Sequence, residues 1–342
     1  MLTSRMTLLP VALSLILVAM TTAKVRGQPA YTIYEVQFTT NPDGTSDYHE
    51  QVIDCAGGIV VANLSRTVPR LFLCDPAYPD GWGGIQVKDF YATGVFDGVQ
   101  LGDWVELTNV EVEDFRGTTF LQWFPEHSPT LTVTSSGNPL PPPVIVAVSD
   151  IPAPVYDPVE DTWFVENHDA ERWESMRLLV RDVTVTEMDL GKAEDNYALE
   201  NPAGERCWAA DYINQDKPYS AYYHSFVALD QHFCAVGGFL EQYTRLSADW
   251  DYYQFLTLNT PDLAICGDGD SDGQVDLADL PRFGECLGGP LCDDVPGGCD
   301  PPAWTCAPAE LPVQHCLMMD ADYDGDVDLA DFGGLQRLLG SP

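Results

Sequence analysis

The stretch LGDWVELTNVEVEDFRGTTFLQW, Leu101–Trp123, decides the fold. Its two runs, Trp104–Val112 and Thr118–Trp123, are apolar, β-branched and aromatic, with Asp114 and Gly117 between them, which is how two neighbouring strands read. Working outward, Val52–Ala62, Arg70–Cys74 and Gly84–Phe90 repeat the pattern, punctuated by Gly, Pro and Asp. No segment of residues 31–135 sustains the 3.6-residue period of an amphipathic helix. Short strands at this spacing predict a small barrel or sandwich. NPLPPP, Asn138–Pro143, then breaks the pattern, because proline removes donors and stiffens the chain. A second β region follows, with runs at Met176–Thr186, Asn196–Glu200, Arg206–Tyr212, Phe233–Tyr243 and Gln254–Leu258. In both regions a long first strand precedes a short one, and a Gly-containing turn leads to a long fourth. The echo predicts an internal duplication, with two unrelated β domains as the alternative.

Composition bounds the function. The chain has 342 residues, enough for two or three domains, and 45% of them are hydrophobic, so cores can form. A formal net charge of −37 repels nucleic-acid phosphates and acidic membranes at long range. The N-terminus reads as a signal peptide over residues 1–27: Arg5, the apolar run Met6–Met20, then the small residues Thr21-Thr22-Ala23. Export to the secreted or cell-surface compartment is expected, and no later run is long and apolar enough to predict a membrane span. An even set of ten cysteines in an exported chain favours disulfides: Cys55, Cys74, Cys207, Cys234, Cys266, Cys286, Cys292, Cys299, Cys306 and Cys316. Cys55 with Cys74, and Cys207 with Cys234, lie in neighbouring strands and are candidate staples. Zinc is disfavoured because no CxxC pair occurs.

The most specific motif is DADYDGDVDLAD, Asp320–Asp331, matched upstream by DGDSDGQVDLAD, Asp268–Asp279. Asp268, Asp270, Asp272, Asp276 and Asp279 take positions 1, 3, 5, 9 and 12 of a calcium loop, as do Asp320, Asp322, Asp324, Asp328 and Asp331. Gly273 and Gly325 supply the sharp turn at position 6, and Gln274 and Asp326 offer a backbone carbonyl at position 7. Two carboxylates about 6 Å apart repel by roughly 0.7 kcal/mol even in a water-like dielectric, so a cation relieves the crowding. Two structural Ca2+ ions are expected. Leu280, Phe283 and Leu287 follow the first loop at helical spacing, as Phe332, Leu335 and Leu338 follow the second.

Two such loop–helix units with Asp at position 12 resemble type I dockerin domains, calcium-folded modules that attach secreted bacterial proteins to cohesin partners. The resemblance covers residues 266–342 and implies a cohesin-like protein partner read at loop positions 10 and 11, here Leu277-Ala278 and Leu329-Ala330. Those family positions usually hold Ser or Thr, so this chain departs from the pattern there. Tandem thrombospondin-type calcium repeats are the rival reading. Residues 31–265 resemble the paired OB-fold modules of secreted bacterial nucleases, through TIYEVQ, GGIQV, the opening stretch, ERWESMRLLVRDVTVTE and VGGFLEQY. The nuclease domain that follows them in that family is missing, which implies binding or positioning rather than cleavage.

The expected architecture is therefore mainly β: two small OB-like barrels in tandem, then a small α calcium-binding module. Its parts are the OB-like domain 28–137, the linker 138–143, the second OB-like domain 144–265 and the dockerin-like module 266–342. No HExxH, GxSxG or phosphate-binding Gly loop is present, so the reading is non-catalytic. The expected function is binding and attachment in an extracellular assembly. The alternatives are a polysaccharide-breakdown accessory or enzyme, and an extracellular single-stranded nucleic-acid-binding protein. Aromatics such as Trp104, Trp208, Tyr252 and Tyr253 suit either sugar rings or bases, and more often such residues fill a β core.

Overall fold

The computed structural model describes residues 30–65, 68–190, 196–245, 250–287, 316, 318–321 and 327–339, with side chains to 243 in the third span. The expected signal peptide lies outside the described residues, as do Cys292, Cys299 and Cys306. The molecule is mainly β, built on two barrel-like sheets.

The first sheet contains β1 (Val52–Leu64), β2 (Arg70–Cys74), β3 (Gly84–Lys88), β4 (Trp104–Phe115), β5 (Thr118–Gln122) and β6 (Thr130–Ser135). Their order is β1-β2-β3-β5-β4-β6, and β4 pairs back onto β1. The β3–β5 pair is parallel, while β1–β2, β1–β4 and β4–β5 are antiparallel. This closes a five-stranded Greek-key barrel of the OB type. Closure needs β1 to bend so that it meets both β2 and β4. The register against β4 slips between Cys55 and Gly58, and Gly57 sits there at φ +74°. A Cβ on Gly57 would lie 1.5 Å from the Val105 carbonyl oxygen, so only glycine fits this bulge.

A connecting segment carries β7 (Val144–Ile145) and a separate hairpin, β8 (Val155–Asp157) with β9 (Thr162–Phe164). The second barrel follows: β10 (Arg177–Met188), β11 (Asn196–Glu200), β12 (Arg206–Ala210), β13 (His232–Arg245), β14 (Trp250–Leu256) and β15 (Leu263–Ala264). Its order is β15-β13-β14-β12-β11-β10-β7, with β13 pairing back onto β10 and a parallel β12–β14 pair. Strand for strand, β10 to β14 repeat β1 to β5, so the duplicated rhythm of the sequence corresponds to one topology used twice. One segment departs from the sequence reading. Ile33–Gln37, inside TIYEVQ, is a helical turn opened by a capping box between Thr32 and Glu35.

Each barrel has its own core. Val60, Leu71, Leu73, Val87, Val105 and Leu121 fill the first, and Val180, Tyr197, Leu199, Val236, Leu240 and Phe255 fill the second. A third cluster lies between them: Ile59, Val61 and Phe72 from one barrel, Ala210, Ile213, Phe239 and Leu256 from the other. Phe72 and Phe239 stack there at 3.9 Å between centroids. The barrels are therefore packed side by side through β1 and β2 of the first, despite the proline-rich connection.

The C-terminal segment does not stand apart either. Its described helices, Leu280–Cys286 and Leu329–Leu339, bury Phe283 and Leu335, together with Val327 just before the second helix, against Leu179, Ala235 and Ala264 of the second barrel. A Cys234–Cys266 disulfide ties β13 to this segment, and Cys286 pairs with Cys316. The candidate staples within each barrel are corrected accordingly. Cys55, Cys74 and Cys207 are free thiols. Cys74 pairs across the strands with Ile59, four residues from Cys55, so their side chains never meet.

Candidate functional site

The first carboxylate loop is built by backbone donors. Gly273 N–H donates to Asp268 Oδ2 at 2.9 Å, and Asp272 N–H to Asp268 Oδ1 at 3.1 Å. Asp270 and Asp276 N–H groups donate to the two oxygens of Asp279, at 3.2 and 2.7 Å. Gly273 adopts φ +89°, the left-handed conformation that position 6 requires. The result brings one carboxylate oxygen each from Asp268, Asp270 and Asp279 within 4.8 Å of one another. At that distance each ionised pair repels by at least about 0.9 kcal/mol even in a water-like dielectric. Asp268 and Asp279 are buried, and Asp270 is exposed at the mouth. Burial pushes the Asp268 carboxyl up to about 6 against the opposing bonds from Gly273 and Asp272, and burial also raises Asp279. The donor set is all oxygen, which suits a hard divalent cation. Asp272, Gln274 and Asp276 are exposed and outside this cluster, and Asp272 and Asp276 accept the N–H groups of Gln274 and Ala278.

The second loop repeats the wiring where it is described. Asp331 accepts from Ala321 N–H at 2.6 Å and from Asp328 N–H at 2.8 Å, and Ala330 N–H donates to Asp328. The Asp276–Asp279 bond of the first loop and the Asp328–Asp331 bond of the second join the same positions, 9 and 12. Asp320 and Asp331 are buried like Asp268 and Asp279, while Asp322, Asp324 and Asp326 lie outside the described residues. Positions 10 and 11 are open to solvent in both loops: Leu277 is 72% and Leu329 78% exposed, with Ala278 and Ala330 exposed beside them.

Sequence reasoning missed what holds this unit in place. The Arg181 guanidinium of β10 meets Asp320 Oδ2 at 2.5 Å, and the Phe226 ring packs on Gly273 so closely that a Cβ there would lie 2.6 Å away. Both partners are distant in sequence, so no local signal marks them.

The second candidate region is the barrel surface. Barrels of this type bind oligonucleotides and oligosaccharides on the outer face of their second and third strands. In the first barrel that face carries Arg70, Phe72, Gln86 and Lys88, all buried. Arg70 reaches Gln86 and lies over the Tyr212 ring, Gln86 bonds Ser175, and Phe72 meets Phe239. In the second barrel the matching face carries Trp208, with Tyr252 beside it on β14. Trp163 of the β8–β9 hairpin packs on Trp208 at 4.9 Å. Both faces are thus covered from within the chain. No helix among the described residues is long and apolar enough to cross a membrane.

No protein-family model matches the chain, and no curated protein matches it. Among solved structures it is similar to a Replication Protein A heterotrimer bound to ssDNA, at 10% identity and a TM-score of 0.19. That likeness covers 62% of this chain and 66% of the other, just under two thirds. Fission yeast Pot1 with ssDNA is similar at 10% identity and a TM-score of 0.22, covering 60% of this chain and 78% of that one. Scores this low carry no argument, and the barrel assignment rests on the strand order itself.

Proposed function

We propose that the protein is an exported, non-catalytic binding and attachment protein whose C-terminal loops are folded by two structural calcium ions. The observation that carries the reading is the convergence of Asp268, Asp270 and Asp279 on one point, with its wiring repeated at Asp331. Calcium would be held in the first loop by these carboxylates, and in the second by Asp320 and Asp331 with Asp322 and Asp324. Bound there, it would neutralise the crowded charge and fix the helices that follow. The exposed pairs Leu277-Ala278 and Leu329-Ala330 would then present two matched apolar points to a cohesin-like protein partner. Calcium titration of the full chain by calorimetry tests this. Two ions per chain are expected, and Asp279→Ala should abolish one. No binding at millimolar calcium would overturn the reading.

A second reading, single-stranded nucleic acid, is favoured by the composition of the first barrel's outer face. Arg70, Lys88 and Phe72 combine cations with a stacking ring, the means by which such barrels hold single strands, and parting of the barrels would uncover them. A glycan ligand needs no cations and remains the third reading. Retardation of the full chain by single-stranded poly(dT), lost with rising salt, would support nucleic acid. Retardation by a neutral polysaccharide, indifferent to salt, would support the glycan.

A further inference from the structure

We propose that the junction between the barrels is an acid-tightened latch worked by the side chains of Glu171 and Glu174. Both residues lie in the connecting segment where it threads between the barrels, and they are 5% and 1% exposed. Glu174 Oε2 accepts the Thr119 N–H of the first barrel at 3.0 Å. Its other oxygen is buried without a hydrogen-bond partner. Glu171 Oε2 accepts the Tyr253 hydroxyl of the second barrel at 2.9 Å. The pair therefore holds one bond to each barrel.

The surroundings are rich in carboxyls. Asp114 of β4 acts on both glutamates, and Asp43 and Asp251 of β14 act on Glu171. The cation facing Glu174 is Lys88 of β3, itself drawn to Glu241 of β13 and repelled by Arg70 of β2. His168 binds Asp251 at 2.8 Å on the same flank. A buried carboxylate oxygen with no partner is costly, and a neutral carboxyl costs far less. Burial first, then the neighbouring carboxylates, raise both glutamates well above the ordinary 4.5, with the Tyr253 and Thr119 bonds and Lys88 opposing.

The sign follows from proton linkage. An acid that binds its proton more tightly when folded stabilises the fold fully below its unfolded value, and that stability is lost as pH rises through the folded value. The window therefore opens near 4.5 and extends upward. Burial also lowers Lys88 to about 8, so from that pH upward its own linkage runs the other way, the fold gaining stability as the buried cation sheds its proton, and the glutamate slope is read below it. Acidification closes the junction, and alkalinity loosens it over Phe72 and Phe239.

The test uses the full chain with its disulfides intact, at fixed calcium, between pH 5 and 7.5, below the Lys88 value. Thermal midpoints and amide exchange at Thr119, corrected for base catalysis, are followed for the wild type, Glu174→Gln, Glu171→Gln and the double variant. The wild-type midpoint should fall by several degrees across the range. Each single variant should lose part of that slope and the double variant most of it, with Thr119 protection becoming pH-independent. Asp268 adds a slope of the same sign, but it is common to all four proteins and cancels in the comparison. An unchanged slope in both single variants, or Thr119 protection that still falls with pH in Glu174→Gln or the double variant, would overturn the latch.

Discussion

Truncating Phe72 separates two pictures of this molecule. If the barrels were beads on a proline-rich string, Phe72 would be an outward-facing residue on β2, and its removal would cost within about 0.5 kcal/mol. In the structure its side chain is fully buried and stacks on Phe239 at 3.9 Å between centroids. Removing a buried Phe side chain costs about 3–5 kcal/mol, of which the aromatic pair accounts for roughly 0.5–1.5 kcal/mol beyond area. For a cooperative unit of about 200 residues this lowers the thermal midpoint by roughly 6–20 °C. Scanning calorimetry and urea unfolding of Phe72→Ala, Phe239→Ala and the double variant measure it. A coupling energy of about 0.5 kcal/mol or more is expected from the cycle, with both barrels shifting together. If Phe72→Ala moved the midpoint by less than about 2 °C, or left one barrel's transition untouched, the joint interface would be refuted.

Two further outcomes follow. Gly57→Ala should cost at least ~1–3 kcal/mol from its positive φ alone, and more from the clash with the Val105 carbonyl. Chemical denaturation should register it as a lower midpoint at unchanged slope. Breaking the Cys234–Cys266 disulfide with Cys266→Ser should cost about 3–4 kcal/mol, because the bridge spans a separation of 32 residues. Proteolysis should then release the C-terminal segment first, leaving the second barrel to be cut later.

The strands were legible because their signal is local. Arg70–Cys74 and Asn196–Glu200 match β2 and β11 residue for residue, and the long runs differ from β1, β4 and β13 only at their ends. The convergence of Asp268, Asp270 and Asp279 has a local origin too, since their spacing and the turn at Gly273 are fixed within twelve residues, while the calcium they would hold belongs to the proposal. Whatever depends on a distant partner was not legible. RLFLC is apolar on both faces, which says that something covers Phe72 but not that Phe239 does. The free Cys55, Cys74 and Cys207 show the same limit, because adjacent strands do not fix register. The hairpin Val155–Phe164 was hidden by Pro158 and a run of acids, and its order comes from Trp163 packing on Trp208. The turn at Ile33–Gln37 did carry a signal, Thr32 with Glu35 three residues on, but an apolar β-branched stretch masked it.

The scarce cations explain how these parts fit one another. The chain carries 16 Lys and Arg against 53 Asp and Glu. Several of the 16 face inward. Arg70 and Lys88 sit in the barrel junction, Arg177 pairs with buried Asp262 at 3.5 Å, and Arg181 pairs with buried Asp320. Removing one such cation leaves a buried carboxyl without its counter-charge, which costs more than losing a surface pair. Cations used as internal ties cannot also track a phosphate backbone from the surface. In the closed arrangement a nucleic acid meets net negative charge and finds Arg70, Phe72 and Lys88 covered. A neutral or protein ligand meets no such charge barrier, and a protein partner would meet Leu277 and Leu329, which are exposed outside the covered faces. Nucleic-acid binding by the first barrel therefore requires the barrels to part, so the pH dependence of that binding would have to follow the ionisation of Glu171 and Glu174.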